Sequence, residues 1–167
     1  MKLYVVVAMA LLVASCQPIT GPESSRKRLV VDPSDPCSLL SPDLIASAAN
    51  IEVSRERRVQ SRADSHGESI PLCMYATQPF NSVALHLESP VTKNDFVRRL
   101  KRDPLNTKDV AGIGDRAFLH AGASIQTFVD RTVVGISAQH LTTVEETEGA
   151  LIAIAKRAVA QLRGDSK

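Results

Sequence analysis

Stretches whose apolar residues recur every second position alternate along this chain with stretches where they recur every third or fourth. The cleanest alternation is Ser82–Glu88, where Val83, Leu85 and Leu87 would face one way and Ala84, His86 and Glu88 the other, as in a half-buried strand. Residues 72–77 predict a strand with Cys73 and Tyr75 on one face, and residues 116–119 another. Residues 123–129 and 132–139 predict a β-hairpin turning at Asp130-Arg131. The polar, arginine-dense stretch 54–69 predicts one short strand at 57–61, and loop through His66-Gly67.

Three segments carry helix signals. Ser41-Pro42-Asp43 supplies a cap, a proline at the first helical position and an acid in the first turn, ahead of Leu44, Ile45 and Ala48 on one face. Thr92 with Asp95 three residues on caps a helix whose apolar side is Phe96, Val97 and Leu100, with Lys93, Arg98, Arg99, Lys101 and Arg102 outside it. Thr143 with Glu146 forms a capping box, Leu151, Ile154, Ala155, Ala158 and Leu162 form a stripe, and Gly164 ends the third helix. The resulting order, αβββαβββα, predicts an α+β domain, an antiparallel β-sheet sandwiched by helices, because short turns make antiparallel pairs and helices need an apolar sheet face.

The N-terminus differs in kind. Lys2 precedes an unbroken apolar run from Leu3 to Ala14, shorter than the roughly 20 residues a membrane-spanning helix needs. A charged start, a short apolar centre and small residues before a cut describe an export signal over residues 1–15. Val13-Ala14-Ser15-Cys16 resembles the lipobox of bacterial prolipoproteins, which implies lipidation at Cys16; an ordinary signal with a chance cysteine is the alternative. Several acyl chains anchor stably where one does not, so the expected partner is a lipid bilayer reached through acylated Cys16. Residues 16–34, rich in Pro, Ser, Gly and charge, read as a flexible tether, and residues 35–164 as a single α+β domain. Gln17 after Cys16 points to the periplasmic face of an outer membrane in a Gram-negative host.

Charge and cysteines narrow the field. The net charge of +2 is too small for a nucleic-acid partner. Arg26-Lys27-Arg28 reads as solvated tether, or as a contact for anionic headgroups. With Cys16 lipidated, Cys37 and Cys73 remain as an even pair in an oxidising compartment, which predicts a disulfide; metal binding by the two thiols is the alternative, without CxxC spacing or a neighbouring histidine.

Asp35-Pro36-Cys37-Ser38-Leu39-Leu40, Cys73-Met74-Tyr75 and Val110-Ala111-Gly112-Ile113-Gly114-Asp115-Arg116-Ala117-Phe118 together resemble a set of small, largely uncharacterised bacterial lipoproteins best populated in actinobacteria. The resemblance spans most of the mature chain and implies a PsbP/Mog1-like fold, with no catalytic residues to carry over. The chain departs from that pattern in its arginine-rich 55–62 stretch and in lacking a glycine after the first helix.

No stretch carries specific chemistry. Gly112-Ile113-Gly114-Asp115 lacks the third glycine and following helix of a dinucleotide loop, and reads as a turn. His66, His86, His120 and His140 have no ligand spacing; the default is surface histidines, the alternative a zinc site joining His120, His140 and Asp115. Arg55, Arg57, Arg58 and Arg62 read as solvated loop charge or a site for an acidic ligand, and no GxSxG or SxxK serine is present. The expectation is a noncatalytic envelope lipoprotein, without metal or cofactor, binding another protein or an envelope component, in one variant an immunity or inhibitor protein against a periplasmic toxin or hydrolase. A carrier of a small apolar ligand or lipid, and a hydrolase or metalloenzyme, are the competing classes.

Overall fold

The computed structural model describes residues 32–60, 69–78, 82–101, 106–121, 123–139 and 143–165. A 3-10 turn, Pro36–Ser38, leads into α1 (Pro42–Ala49), β1 (Glu52–Gln60), β2 (Pro71–Gln78), β3 (Ser82–Glu88), α2 (Lys93–Leu100), β4 (Thr107–Asp109), β5 (Arg116–His120), β6 (Ser124–Val129), β7 (Thr132–Gln139) and α3 (Val144–Arg163). The seven strands form one antiparallel sheet in the order β1-β2-β3-β7-β6-β5-β4. Two meanders thus meet where β3 pairs with β7, Leu85 opposite Ile136.

The caps form as their residue types demand. Ser41 accepts from the Leu44 N–H, Thr92 from that of Asp95 and Thr143 from that of Glu146, while Asn50 and Gly164 close α1 and α3 in the left-handed region.

Two strand expectations need correction. Four strands, not three, follow α2: β4 carries Thr107, Lys108 and Asp109, with no apolar period to read, and exists through main-chain pairing with β5. The strand expected at 57–61 begins at Glu52. As the edge of the sheet β1 needs no continuous apolar run, and Val53 and Val59 suffice against β2. A register shift between Val53 and Arg55 interrupts its ladder, a common feature of sheet edges.

The sheet has helices on both faces. One face, Val83, Leu85 and Leu87 of β3 with Tyr75, Ile125 and Ile136, is covered by α3 and, beside it, α1. α2 lies on the other, where Phe96 packs with Phe118 of β5 and Phe128 of β6, ring centroids 5.8 and 5.5 Å away, and near Val133 of β7. No helix among the described residues is long and apolar enough to cross a membrane.

Two stitches hold the N-terminal segment on the first face. Cys37 and Cys73 form a disulfide across 36 residues, with Cα atoms 5.0 Å apart. Two residues along β2, the buried Tyr75 hydroxyl donates to the Leu40 carbonyl at 2.7 Å. Burial pushes the Tyr75 phenol well above its ordinary pKa, with the Glu56 and Asp35 carboxylates adding to the shift, so it stays a neutral donor. Closing a loop of that length restricts the unfolded chain by about 3–4 kcal/mol. The Cys37→Ser/Cys73→Ser double variant is therefore expected to lose about 3–4 kcal/mol in a urea titration, and an unchanged midpoint would show that the bond does not stabilise the fold.

Candidate functional site

Residues singled out in the sequence end up in separate places. Cys16, His66, His140 and Arg62 lie outside the described residues. Cys37 and Cys73 are bonded to each other; the Glu56 carboxylate stands within 4.8 Å of both sulfurs, but neither sulfur is a free thiolate to ligate a metal. Arg55, Arg57 and Arg58 belong to edge strand β1, not to a loop.

The glycine turn is a structural joint. Gly114 has φ +58°, and a Cβ there would sit 2.6 Å from the Phe128 carbonyl oxygen and from the Thr127 hydroxyl. The next residue, Asp115, donates its N–H to the Phe128 carbonyl at 2.8 Å. Its carboxylate accepts from the Asp130 N–H at 3.2 Å and from Arg163 at 2.8 Å. It thereby ties the β6–β7 turn to the end of α3. Asp130 and Arg131 both take positive φ, 47° and 67°, the twist a two-residue hairpin needs. Glycine and asparagine usually meet that need; here the Asp115 bond and one from the Val91 N–H to the Arg131 carbonyl hold the turn.

This also takes Asp115 out of the zinc alternative. It precedes the first residue of β5, whereas His120 is the last, with Nδ1 3.4 Å from the Thr107 hydroxyl.

His86 departs from the expectation of a surface histidine. It lies on the α2 side of β3, directly opposite Gly135 of β7. A Cβ at Gly135 would collide with the imidazole, so the glycine makes room for the ring to lie against the sheet. Glu88 approaches Nε2 to 3.8 Å and in turn pairs with Arg99 of α2. The sequence carries one trace of this: a glycine inside β7, between Val134 and Ile136, where a close approach is a standing reason for glycine.

The face around His86 is unevenly covered. α2 spans β5, β6 and β7. On the same side of β1, β2 and β3, register places Glu52, Arg55, Val59, Leu72, Met74, Ala76, Gln78 and Ala84. The five apolar residues are half-buried and Arg55 is exposed, and among the described residues no helix packs over them. At the end of this region an open groove of about 720 Å3 is lined by Pro33, Pro71, Pro90, Val91, Glu88 and Arg99, with the Ser89–Pro90 peptide cis. A smaller groove of about 210 Å3 lies at the far side of α2, between Val97, Leu100 and Phe118, where Arg116 stacks 4.8 Å over the Phe118 ring and pairs with Asp109. The assembly offers an apolar floor with a charged rim. No family model matches the chain, and no curated protein and no solved structure matches it either.

Burial lowers the His86 pKa, Glu88 opposes this and Arg99 adds to it. A histidine whose folded pKa is depressed binds more protons when unfolded. Its contribution is intact above the unfolded value of about 6.5 and is lost as pH falls through the folded value. Unfolding free energy is expected to decline between pH 7 and pH 5.5, with a weaker decline in His86→Gln. Identical pH profiles for the two proteins would contradict the placement of His86.

Proposed function

We propose that this chain is a noncatalytic lipoprotein of the bacterial cell envelope, acylated at Cys16, whose domain binds another protein or an envelope component through the half of the sheet over which no helix packs among the described residues. The observation that carries the binding role is that half-face. An antiparallel sheet open to water on one side ordinarily carries polar residues there, yet Val59, Leu72, Met74, Ala76 and Ala84 occupy those positions. Clustered apolar surface of this kind marks interaction sites.

The anchor is supported by the Val13-Ala14-Ser15-Cys16 tetrapeptide and by the cysteine balance: with Cys37 and Cys73 paired, Cys16 is the remaining thiol of three. The PsbP/Mog1-like fold belongs to the same proposal, and an antiparallel sheet with helices on both faces is the layering it requires. The carrier alternative gains less support. Leu40, Ile45, Leu85, Ile136, Leu151 and Ile154, each under 2% exposed, fill the space between the sheet and α1 and α3, while both grooves are open to solvent. An immunity or inhibitor role is a special case of protein binding, decided by the partner's identity.

A photo-crosslinking residue placed at Ala84 in producing cells tests the binding role, with Lys156 on the exposed side of α3 as control. Discrete adducts from position 84 and none from 156 are expected, and Cys16→Ser should release the chain from the membrane fraction. No adduct at 84, or equal adducts at both, would overturn the binding role; undiminished membrane association of Cys16→Ser would overturn the anchor.

A further inference from the structure

We propose that His86, Glu88 and Arg99 form an acid-sensitive latch, in which protonation of His86 frees the C-terminal end of α2 from β3 and loosens one wall of the groove that Glu88 and Arg99 line.

The latch is built across two elements. The His86 ring lies against Gly135: the three atoms nearest to a Cβ placed on that glycine are all imidazole atoms, Cε1, Nε2 and Nδ1. Nε2 stands 3.8 Å from one Glu88 oxygen, and Arg99 of α2 pairs with the other. With His86 neutral, one carboxylate balances one guanidinium. The strand positions around the ring bring no further charge: Leu72 is the β2 neighbour of His86, Gly135 its β7 neighbour, and Gln126 of β6 lies opposite Gly135. On α2, Asp95 and Arg98 pair with each other at 3.8 Å, and Lys93 and Lys101 are exposed.

Protonation adds a second positive charge to a half-buried cluster that holds one carboxylate. Burial opposes it, Glu88 favours it and Arg99 opposes it. These influences divide between the elements, because Arg99 leaves with α2 whereas Glu88 stays beside His86 on β3. A conformation with α2 lifted therefore takes the proton more readily than the closed one, and acid populates it. Lifting α2 is the local route to such a state. This helix buries two of its side chains, Phe96 and Leu100, whereas α3 buries seven. Elements with few buried contacts open ahead of the whole fold.

Hydrogen exchange reads the latch directly. The full chain, in zwitterionic detergent micelles, is followed by mass spectrometry at pH 7.5 and pH 5.5, with rates corrected for the intrinsic pH dependence of amide exchange. A histidine that regains its ordinary value of about 6.5 only in the open state raises the opening equilibrium by at most about tenfold over this interval. Exchange across residues 96–100 is expected to rise by up to that factor relative to residues 150–160 of α3. His86→Gln should remove the rise. Glu88→Gln deprives Arg99 of its partner, and should speed exchange across 96–100 at pH 7.5 by up to about fivefold, the worth of one partly exposed ion pair. That arm stands even where His86→Gln does not fold.

Equal exchange across 96–100 at the two pH values overturns the proposal. So does an equal rise in α3, since His86 would then report on global unfolding alone. A rise that persists in His86→Gln, or Glu88→Gln exchange that matches the parent at pH 7.5, overturns it as well.

Discussion

Side chains on a strand alternate between two faces, and much of this domain follows from which face finds a helix. Along β3, Val83, Leu85 and Leu87 are nearly sealed by α3 and the N-terminal segment, while Ala84, His86 and Glu88 look toward α2. Because the period is two, a slip of one residue would exchange these sets and bury a histidine and a carboxylate. The β3–β7 pairing therefore fixes the register of both meanders at once.

The polar bonds secure the places where alternation alone gives no support. Tyr75 and the disulfide hold the 3-10 turn and the approach to α1 against β2. Asp115 holds a hairpin turn whose two residues take positive φ although neither is glycine. Buried Thr127 donates from β6 toward the carbonyls of Ile113 and Arg116, at 3.4 and 3.3 Å, where the glycine turn passes. These contacts are spread around the rim of the sheet and converge on no cleft. The conspicuous glycine-aspartate motif is one of these structural joints, tying the β6–β7 turn to the end of α3.

Legibility in the sequence tracked how locally each feature is encoded. Ser82–Glu88 was readable because its period is clean, and α2 and α3 because Thr92, Thr143 and Gly164 mark their ends within a few residues. The Cys37–Cys73 bond followed from parity once Cys16 was set apart. β4 was invisible because Thr107, Lys108 and Asp109 acquire strand geometry from β5 alone. The start of β1 was hidden because an edge strand tolerates charge. The uncovered half-face could not be read at all: Val59, Met74 and Ala84 come from three strands, and their adjacency exists only in register. The partial burial of His86 is illegible for the same reason, since its room is supplied by Gly135, 49 positions away (135 minus 86).

Among the described residues, helices cover one face of this sheet fully and the other only over β5, β6 and β7, and side-by-side polar substitution tests this division most directly. Met74→Gln and Ala84→Gln on the open side, and Leu85→Gln on the sealed side, would be compared by urea unfolding. The open-face variants should each stay within roughly 1 kcal/mol of the parent, while Leu85→Gln should lose about 3 kcal/mol or more through an unpaired buried amide and lost packing. Comparable large losses at all three positions would mean that the second face is sealed too, and would contradict the account.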